Sequence, residues 1–179
     1  MKKIIAFAFV FVLSLSSCEK DDICDPNTAT TPRLVITFYD ITKPSEVKNV
    51  NNLKVIGEGM TEGIVFNATA TGELKYLANG STISIPLKTN EDTTTYSFIL
   101  NSTNLNPALV NTDKIQFNYT RENLFVSRAC GYKTVFKLGP TDPLIHTDAA
   151  SADGLWMQYV LIETDNIANE NETHVKVYF

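Results

Sequence analysis

Carboxylates in the C-terminal part of the chain are the side chains that could perform general acid or base chemistry. Asp148, Asp153 and Glu163 would have to meet in one cleft, with shifted pKa values, to act on a glycan. No GxSxG or HExxH pattern accompanies them, and His146 and His174 are too far apart in sequence to form a recognisable metal motif. We therefore predict no catalytic residues and expect both histidines on the surface or in loops.

Acidic and amide side chains between Glu163 and Glu172 could supply oxygen ligands to calcium. Ile167 and Ala168 interrupt the spacing of an EF-hand loop, so we expect a solvated hairpin between the last two strands, with calcium binding as the alternative. The sequence leaves calcium binding by residues 163–172 open. It predicts no other metal site and no cofactor.

The N-terminal residues have the order of features that marks an exported protein. Lys2 and Lys3 precede an apolar run at residues 4–13, and Leu-Ser-Ser-Cys ends at Cys18. This tetrapeptide resembles the lipobox of bacterial lipoproteins, in which the cysteine is diacylated and becomes the first residue. The alternatives are an ordinary cleaved signal peptide and an uncleaved anchor, but a membrane-spanning helix needs about 20 apolar residues. We expect residues 1–17 to be removed and Cys18 to hold the protein to a membrane.

Two cysteines remain once Cys18 is acylated. Disulfides persist in exported proteins, and neither a CxxC motif nor a nearby histidine indicates reactive thiols. We therefore predict a disulfide between Cys24 and Cys130. A reactive thiol pair is the alternative.

The mature chain is acidic, which limits its partners. Loss of residues 1–17 removes Lys2 and Lys3, so 13 basic residues face 20 acidic ones and the formal net charge becomes −7. Nucleic acid and anionic lipid both need a basic face on a protein that binds them. We expect no nucleic-acid partner; the membrane, reached through acylated Cys18, and an outer-membrane protein or a glycan are the expected partners.

Alternating apolar and polar residues from Arg33 onward predict strands with one buried face, as at Ile115, Phe117 and Tyr119. We predict an all-β antiparallel β-sandwich, Ig-like in architecture, over residues 33–179. Residues 18–32, with two prolines after Cys24, are expected to be the lipid anchor and a linker. The strands are expected near residues 33–39, 53–58, 64–70, 73–77, 81–87, 95–101, 113–120, 124–128, 133–138, 155–163 and 173–179.

The four residues after Cys18 resemble the lipoprotein export signal of Bacteroidota, in which a lysine and acidic residues direct the protein to the cell surface. They are Glu19, Lys20, Asp21 and Asp22. A solvated linker that keeps the domain off the membrane is the alternative interpretation.

Residues 125–132, which read FVSRACGY, resemble an uncharacterised family of small Bacteroidota outer-membrane lipoproteins, a domain of unknown function, when they are taken together with Cys24. The resemblance implies a lipid-anchored position on the outer membrane, with the cell surface favoured over the periplasmic face. It implies no activity.

These observations predict a non-enzymatic binding or accessory module at the outer membrane, because no acid, base and nucleophile set converges in the sequence. Two other functions stay open. One is an enzyme that acts on envelope glycan through the loop carboxylates, and the other is a purely structural outer-membrane protein.

Overall fold

The computed structural model describes residues 23–26, 28, 30–149 and 153–179. The expected signal peptide, Cys18 and the expected export signal at residues 19–22 lie outside this range. Within it, no helix is long and apolar enough to cross a membrane. Short 3₁₀ helices lie at Gly72–Tyr76 and Pro107–Leu109. The strands are β1 (Leu34–Tyr39), β2 (Val50–Gly57), β3 (Leu77–Gly80), β4 (Thr82–Ile85), β5 (Thr93–Leu100), β6 (Asn111–Ser127), β7 (Gly131–Leu138), β8 (Leu144–Asp148), β9 (Tyr159–Ile162), β10 (Asn166–Ile167) and β11 (Val175–Tyr178).

The strands form two sheets, which confirms the predicted all-β sandwich. The first sheet has the order β4-β1-β11-β9, and the second has the order β10-β7-β6-β5-β2-β3. β8 pairs with residues 113–117 of β6, next to the part of β6 that pairs with β7. Every pair is antiparallel except β1 with β11, so the first and last strands run side by side in the same direction.

Apolar side chains from both sheets form one core between them. On β1 the residues Leu34, Ile36 and Phe38 are fully buried in this core, and Val35 and Thr37 on the other face of the strand are buried as well. Each large side chain that leaves water contributes roughly 1.5–3 kcal/mol to folding. The indole of Trp156 closes one end of this core, where its Nε1 donates to the carbonyl of Phe98 at 3.1 Å. The largest fully buried side chains are Phe38, Phe98, Phe117, Phe136, Leu34, Ile36, Leu53, Ile85, Ile115, Leu138, Met157 and Ile167.

Several predicted strand boundaries are wrong. Residues 64–70 form no strand, and Gly63 makes only an isolated bridge to Ile56. Residues 72–76 form a 3₁₀ helix where a strand was expected. The two strands predicted at 113–120 and 124–128 are one strand, β6, which continues as a long hairpin with β7. Residues 120–125 of this hairpin are all exposed. β6 and β7 stay paired there although neither face is buried, so the sequence shows no alternation of apolar and polar residues.

β8 was not predicted at all. His146 on β8 is in register with Ile115 on β6, and its side chain forms a hydrogen bond with the carboxylate of Asp113. A polar contact therefore replaces the alternation of apolar residues that usually marks a strand in the sequence.

Candidate functional site

Three tyrosines form a row across the outer face of the first sheet. Tyr39 on β1 pairs with Tyr178 on β11, and Tyr178 pairs with Tyr159 on β9. Residues in register share one face of a sheet, and the neighbouring Phe38 and Val177 point into the core. The tyrosine row (Tyr39, Tyr178 and Tyr159) therefore faces away from the core.

The outer part of the row is open to solvent. Tyr159 is 61% exposed, and Leu161 on the same strand is 52% exposed. The rings of Tyr39 and Tyr178 stack on each other, with centroids 5.4 Å apart and planes inclined by 27°. Tyr159 and Leu161 are therefore the large hydrophobic side chains of this face that are most open to solvent.

The cation beside the row is neutralised within the protein. Lys176 Nζ lies 5.8 Å from the ring centroid of Tyr39 and 2.9 Å from Glu163 Oε2. The hydrogen bond from Lys176 to the Glu163 carboxylate raises the pKa of the Lys176 ammonium. The positive charge of Lys176 beside the tyrosine row is thus balanced by Glu163.

β9 is an edge strand of the first sheet. Among the described residues, no strand pairs with the side of β9 that faces away from β11. An open edge exposes backbone donors and acceptors that can pair with another chain. Exposed Tyr159 and Leu161 therefore lie beside unpaired backbone groups.

The opposite end of the domain holds the disulfide. Cys24 and Cys130 are joined with their Cα atoms 4.9 Å apart, across 106 residues of sequence. This is the predicted pair. Cys130 lies in the turn between β6 and β7, so the bridge attaches the N-terminal segment to the end of that hairpin.

The residues expected to be a linker after Cys24 are packed against the sandwich. Thr31 Oγ1 accepts a hydrogen bond from the backbone of Thr134 at 3.0 Å, and Pro32 is buried. Arg33 forms an ion pair with Glu170, with Nη2 and Oε2 2.8 Å apart. The ordered part of the domain thus begins before residue 33.

The acidic loop at residues 163–172 is held to the body of the protein. We expected a solvated hairpin here, but Ile167 is fully buried where β10 pairs with β7. The prediction is wrong at this residue. Burial opposes ionisation of Glu170, but the hydrogen bonds and the charge of Arg33 outweigh it and lower the pKa of the Glu170 carboxyl. Asp165 lies 3.7 Å from Lys137 Nζ.

The carboxylates of this loop point to separate cations and not to a common centre. Glu163, Asp165 and Glu170 pair with lysine or arginine residues on three different parts of the chain. Within the described ranges, no three histidine, cysteine, aspartate or glutamate side chains lie close enough to hold a metal ion.

The carboxylates considered for glycan hydrolysis do not share one cleft. Asp148 Oδ2 accepts from the backbone of Gly154 at 3.0 Å, so Asp148 and Asp153 belong to one region. Gln158 and Glu163 donate their backbone N–H groups to Tyr178 and His174, at opposite ends of the β9–β11 pair. The length of β9 therefore separates Glu163 from the other two.

Asp113 is a buried residue that the sequence analysis missed. Its carboxylate is fully buried and accepts from His146 Nε2 and from the backbone of Met157, both at 2.9 Å, and from the backbone of Trp156 at 3.4 Å. It ties β6 and β8 to the segment that leads to β9. The sequence does contain a sign of this burial: Asp113 lies two residues before Ile115 and therefore on the face of the strand that is otherwise apolar.

His146 lies on β8 with 13% of its side chain exposed, so its expected place on the surface or in a loop is wrong, whereas His174 does lie in a loop, before β11. The His146 side chain is in contact with Asp113. His174 is fully buried, and its Nδ1 accepts from the backbone of Val35 at 2.9 Å while its Nε2 has no partner. Desolvation lowers the pKa of the His174 imidazole. These contacts assign structural positions to both side chains.

Comparison with known protein families assigns most of the chain to one family. Residues 52–179 match the family model described as a family of unknown function, DUF6452. The chain belongs to this family. No curated protein and no solved structure matches it. The DUF6452 region includes most of β2, all of β3 to β11, Cys130, Tyr159 and Tyr178, whereas Cys24 and Tyr39 precede it.

Proposed function

We propose that this DUF6452 protein is a lipid-anchored envelope lipoprotein of the outer membrane that binds a protein partner through the tyrosine row. The observation that carries the binding role is the row of half-buried Tyr39 and Tyr178 and exposed Tyr159, which ends at the open edge of β9. The anchor rests on the N-terminal pattern that ends at Cys18, and the cell-surface position rests on residues 19–22.

The anchor and the tyrosine row would lie at opposite ends of the domain. β1 starts at Leu34, just after the segment that Cys24 and Thr31 hold to the β6–β7 hairpin. Tyr39 is five residues further along the strand, a distance of roughly 17 Å at about 3.3 Å per residue. Because β11 runs parallel to β1, Tyr178 lies at the same remote end. A domain tethered at Cys18 would present the row away from its membrane attachment.

The chemistry of the row favours a protein as partner. Tyrosine is enriched at the centres of protein interfaces, whereas aspartate, glutamate and lysine are depleted there. Tyr39 and Tyr178 already occupy each other's ring faces, which leaves less flat ring surface for a sugar. The open edge of β9 adds backbone groups that can pair with an extended segment of a partner.

The first prediction concerns the anchor. Cys18→Ala is expected to leave the protein unprocessed or released from the membrane, because acyl chains supply about 0.8 kcal/mol per buried methylene. Membrane fractionation and the mass of the N-terminal peptide measure this. Replacement of Lys20, Asp21 and Asp22 by alanine is expected to keep the anchor and reduce protease accessibility on intact cells. A Cys18→Ala protein that loses residues 1–17 and still fractionates with the membrane like the wild type contradicts the lipoprotein assignment.

The second prediction concerns the tyrosine row. A photo-crosslinking amino acid in place of Tyr159 is expected to give one adduct of discrete mass with an envelope protein in living cells. Tyr178→Ser is expected to weaken this adduct strongly, because it removes the central ring of the row. Immunoblotting of the crosslinked membrane fraction measures both effects.

Two controls define the result for the tyrosine row. Leu105 is fully exposed outside the row, so the same probe at this position should give no adduct. Tyr132→Ser changes an exposed tyrosine on the β6–β7 hairpin and should leave the Tyr159 adduct unchanged. Equal adducts from positions 105 and 159, or an adduct insensitive to Tyr178→Ser, would contradict binding by the row. Absence of any protein adduct together with binding of purified envelope polysaccharide would make a glycan the partner instead.

A further inference from the structure

We infer that the hairpin tip (residues 124–133) docks into the headgroup region of the bilayer that the anchor enters. The inference rests on the proposed lipid anchor, because it requires Cys18 to be held at the membrane. It concerns a surface distinct from the tyrosine row, at the opposite end of the domain.

The tip exposes a pair of aromatic side chains. Phe125 on β6 and Tyr132 on β7 are cross-strand partners, 59% and 69% exposed, and their rings meet edge to face with centroids 5.4 Å apart. A phenylalanine exposed to this extent beside a second ring leaves apolar surface in water. This pair lies where the hairpin has left the face that covers the core, since residues 120–125 are all exposed.

The tether places this pair near the membrane. Cys130 is two residues from Tyr132 and is bonded to Cys24. Six residues separate Cys24 from Cys18, and a fully extended chain of that length spans at most about 20 Å. If Cys18 carries acyl chains, the tip cannot lie farther than this from the headgroups. The disulfide thus keeps the aromatic pair close to the bilayer surface.

The charge of the tip suits a phosphate layer. Residues 124–133 contain Arg128 and Lys133 and no acidic residue, although the mature chain as a whole is acidic. Neither cation forms an ion pair within the described part of the chain, whereas Arg33, Lys137 and Lys176 are paired. Aromatic rings next to free cations are the side chains that favour a membrane interface.

A shallow cavity beside the tip adds polar groups. It has a volume of about 300 Å³ between the N-terminal segment and the hairpin, and Thr30, Thr31, Tyr132 and Lys133 are among its lining residues. Hydroxyl groups and one ammonium group can donate hydrogen bonds to a phosphate oxygen. The acidic residues Glu19, Asp21 and Asp22 of the tether, and Asp25 beside Cys24, oppose this attraction, so the aromatic pair must supply the main driving force.

The test uses the full acylated protein in vesicles of phosphatidylcholine and phosphatidylglycerol, with lipids brominated near the glycerol backbone as quenchers. Phe125→Trp places a fluorophore in the aromatic pair, and Tyr159→Trp places one at a similarly exposed position at the far end. The native Trp156 is buried in both proteins. We expect the F125W variant to lose roughly half of its added emission and to shift to the blue, because interfacial rings sit at headgroup depth. The Y159W variant should show neither change.

The outcomes separate this inference from the proposed anchor. An N-terminal mass without acyl chains, with no protein on the vesicles, removes the anchor. Acylated protein on vesicles with an unquenched F125W variant overturns docking of the tip and leaves the anchor standing. Equal quenching of the F125W and Y159W variants also overturns it, since the domain would then have no preferred end at the membrane. A Tyr132→Trp variant repeats the measurement from the other ring of the pair.

Discussion

Loss of the disulfide is expected to lower the free energy of unfolding by about 4.7 kcal/mol, the chain-entropy value for a closed loop of roughly 100 residues. The double variant Cys24→Ser with Cys130→Ser removes the bridge that closes 106 residues of sequence. Most of the effect comes from the greater freedom of the unfolded chain. Urea unfolding of the mature protein, followed by the fluorescence of buried Trp156, measures the change.

The disulfide variant should also change the start of the domain. Without the bridge, the described residues before Pro32 are held by the hydrogen bond from Thr134 to Thr31, while the Arg33–Glu170 ion pair lies beyond them. Proteolysis between Cys24 and Pro32 should therefore become faster in the double variant than in the oxidised wild type. Two free thiols in the non-reduced wild-type protein, or equal unfolding midpoints for both proteins, are the results that contradict this account.

Removal of the Asp113 carboxylate is expected to cost about 3–5 kcal/mol of folding free energy, as breaking a buried polar pair usually does. Asp113→Ala leaves the buried N–H groups of Trp156 and Met157 and the Nε2 of His146 without their acceptor. These donors belong to the segment between the two sheets and to β8. The variant should therefore make the segment that connects the two sheets more mobile as well as lower the free energy of unfolding.

A conservative variant and an exposed control make the Asp113 prediction specific. Asp113→Asn keeps one acceptor oxygen and should lose less stability than Asp113→Ala. Asp153→Ala changes an exposed carboxylate nearby and should stay within about 0.5 kcal/mol of the wild type. Urea unfolding of the three variants measures the order. A loss in Asp113→Ala no larger than that in Asp153→Ala would show that the buried carboxylate does not hold the sheets together.

The two ends of the domain have different surface chemistry. At one end, Phe125 and Tyr132 lie beside Arg128 and Lys133, which form no ion pair among the described residues, and beside the attachment point of the N-terminal segment. At the other, Tyr159 and Leu161 lie at an open sheet edge next to a neutralised lysine. The proposed anchor, the inferred membrane contact and the proposed partner site would then form one axis, with the sandwich as a rigid spacer between membrane and partner.

The sequence alone determined the fold class of this protein and its disulfide. A period of two along β6 and β11 is a local property, so Ile115, Phe117, Val175 and Val177 could be assigned to a buried face without knowing the topology. The pairing of Cys24 with Cys130 followed from counting cysteines in a chain that was expected to be exported. The resemblance to a domain of unknown function agreed with the family match over residues 52–179.

Only the tertiary structure decided which distant residues meet. The tyrosine row depends on the parallel register of the first and last strands, which no local pattern encodes. Asp113 and His146 break the apolar alternation because each satisfies the other inside the protein, so their contact, and with it β8, could be recognised only after the sheets were assembled. The burial of Ile167 could not be predicted, because β10 has only two residues and lies in an acidic stretch without alternation. Ile167 is buried because β10 pairs with β7.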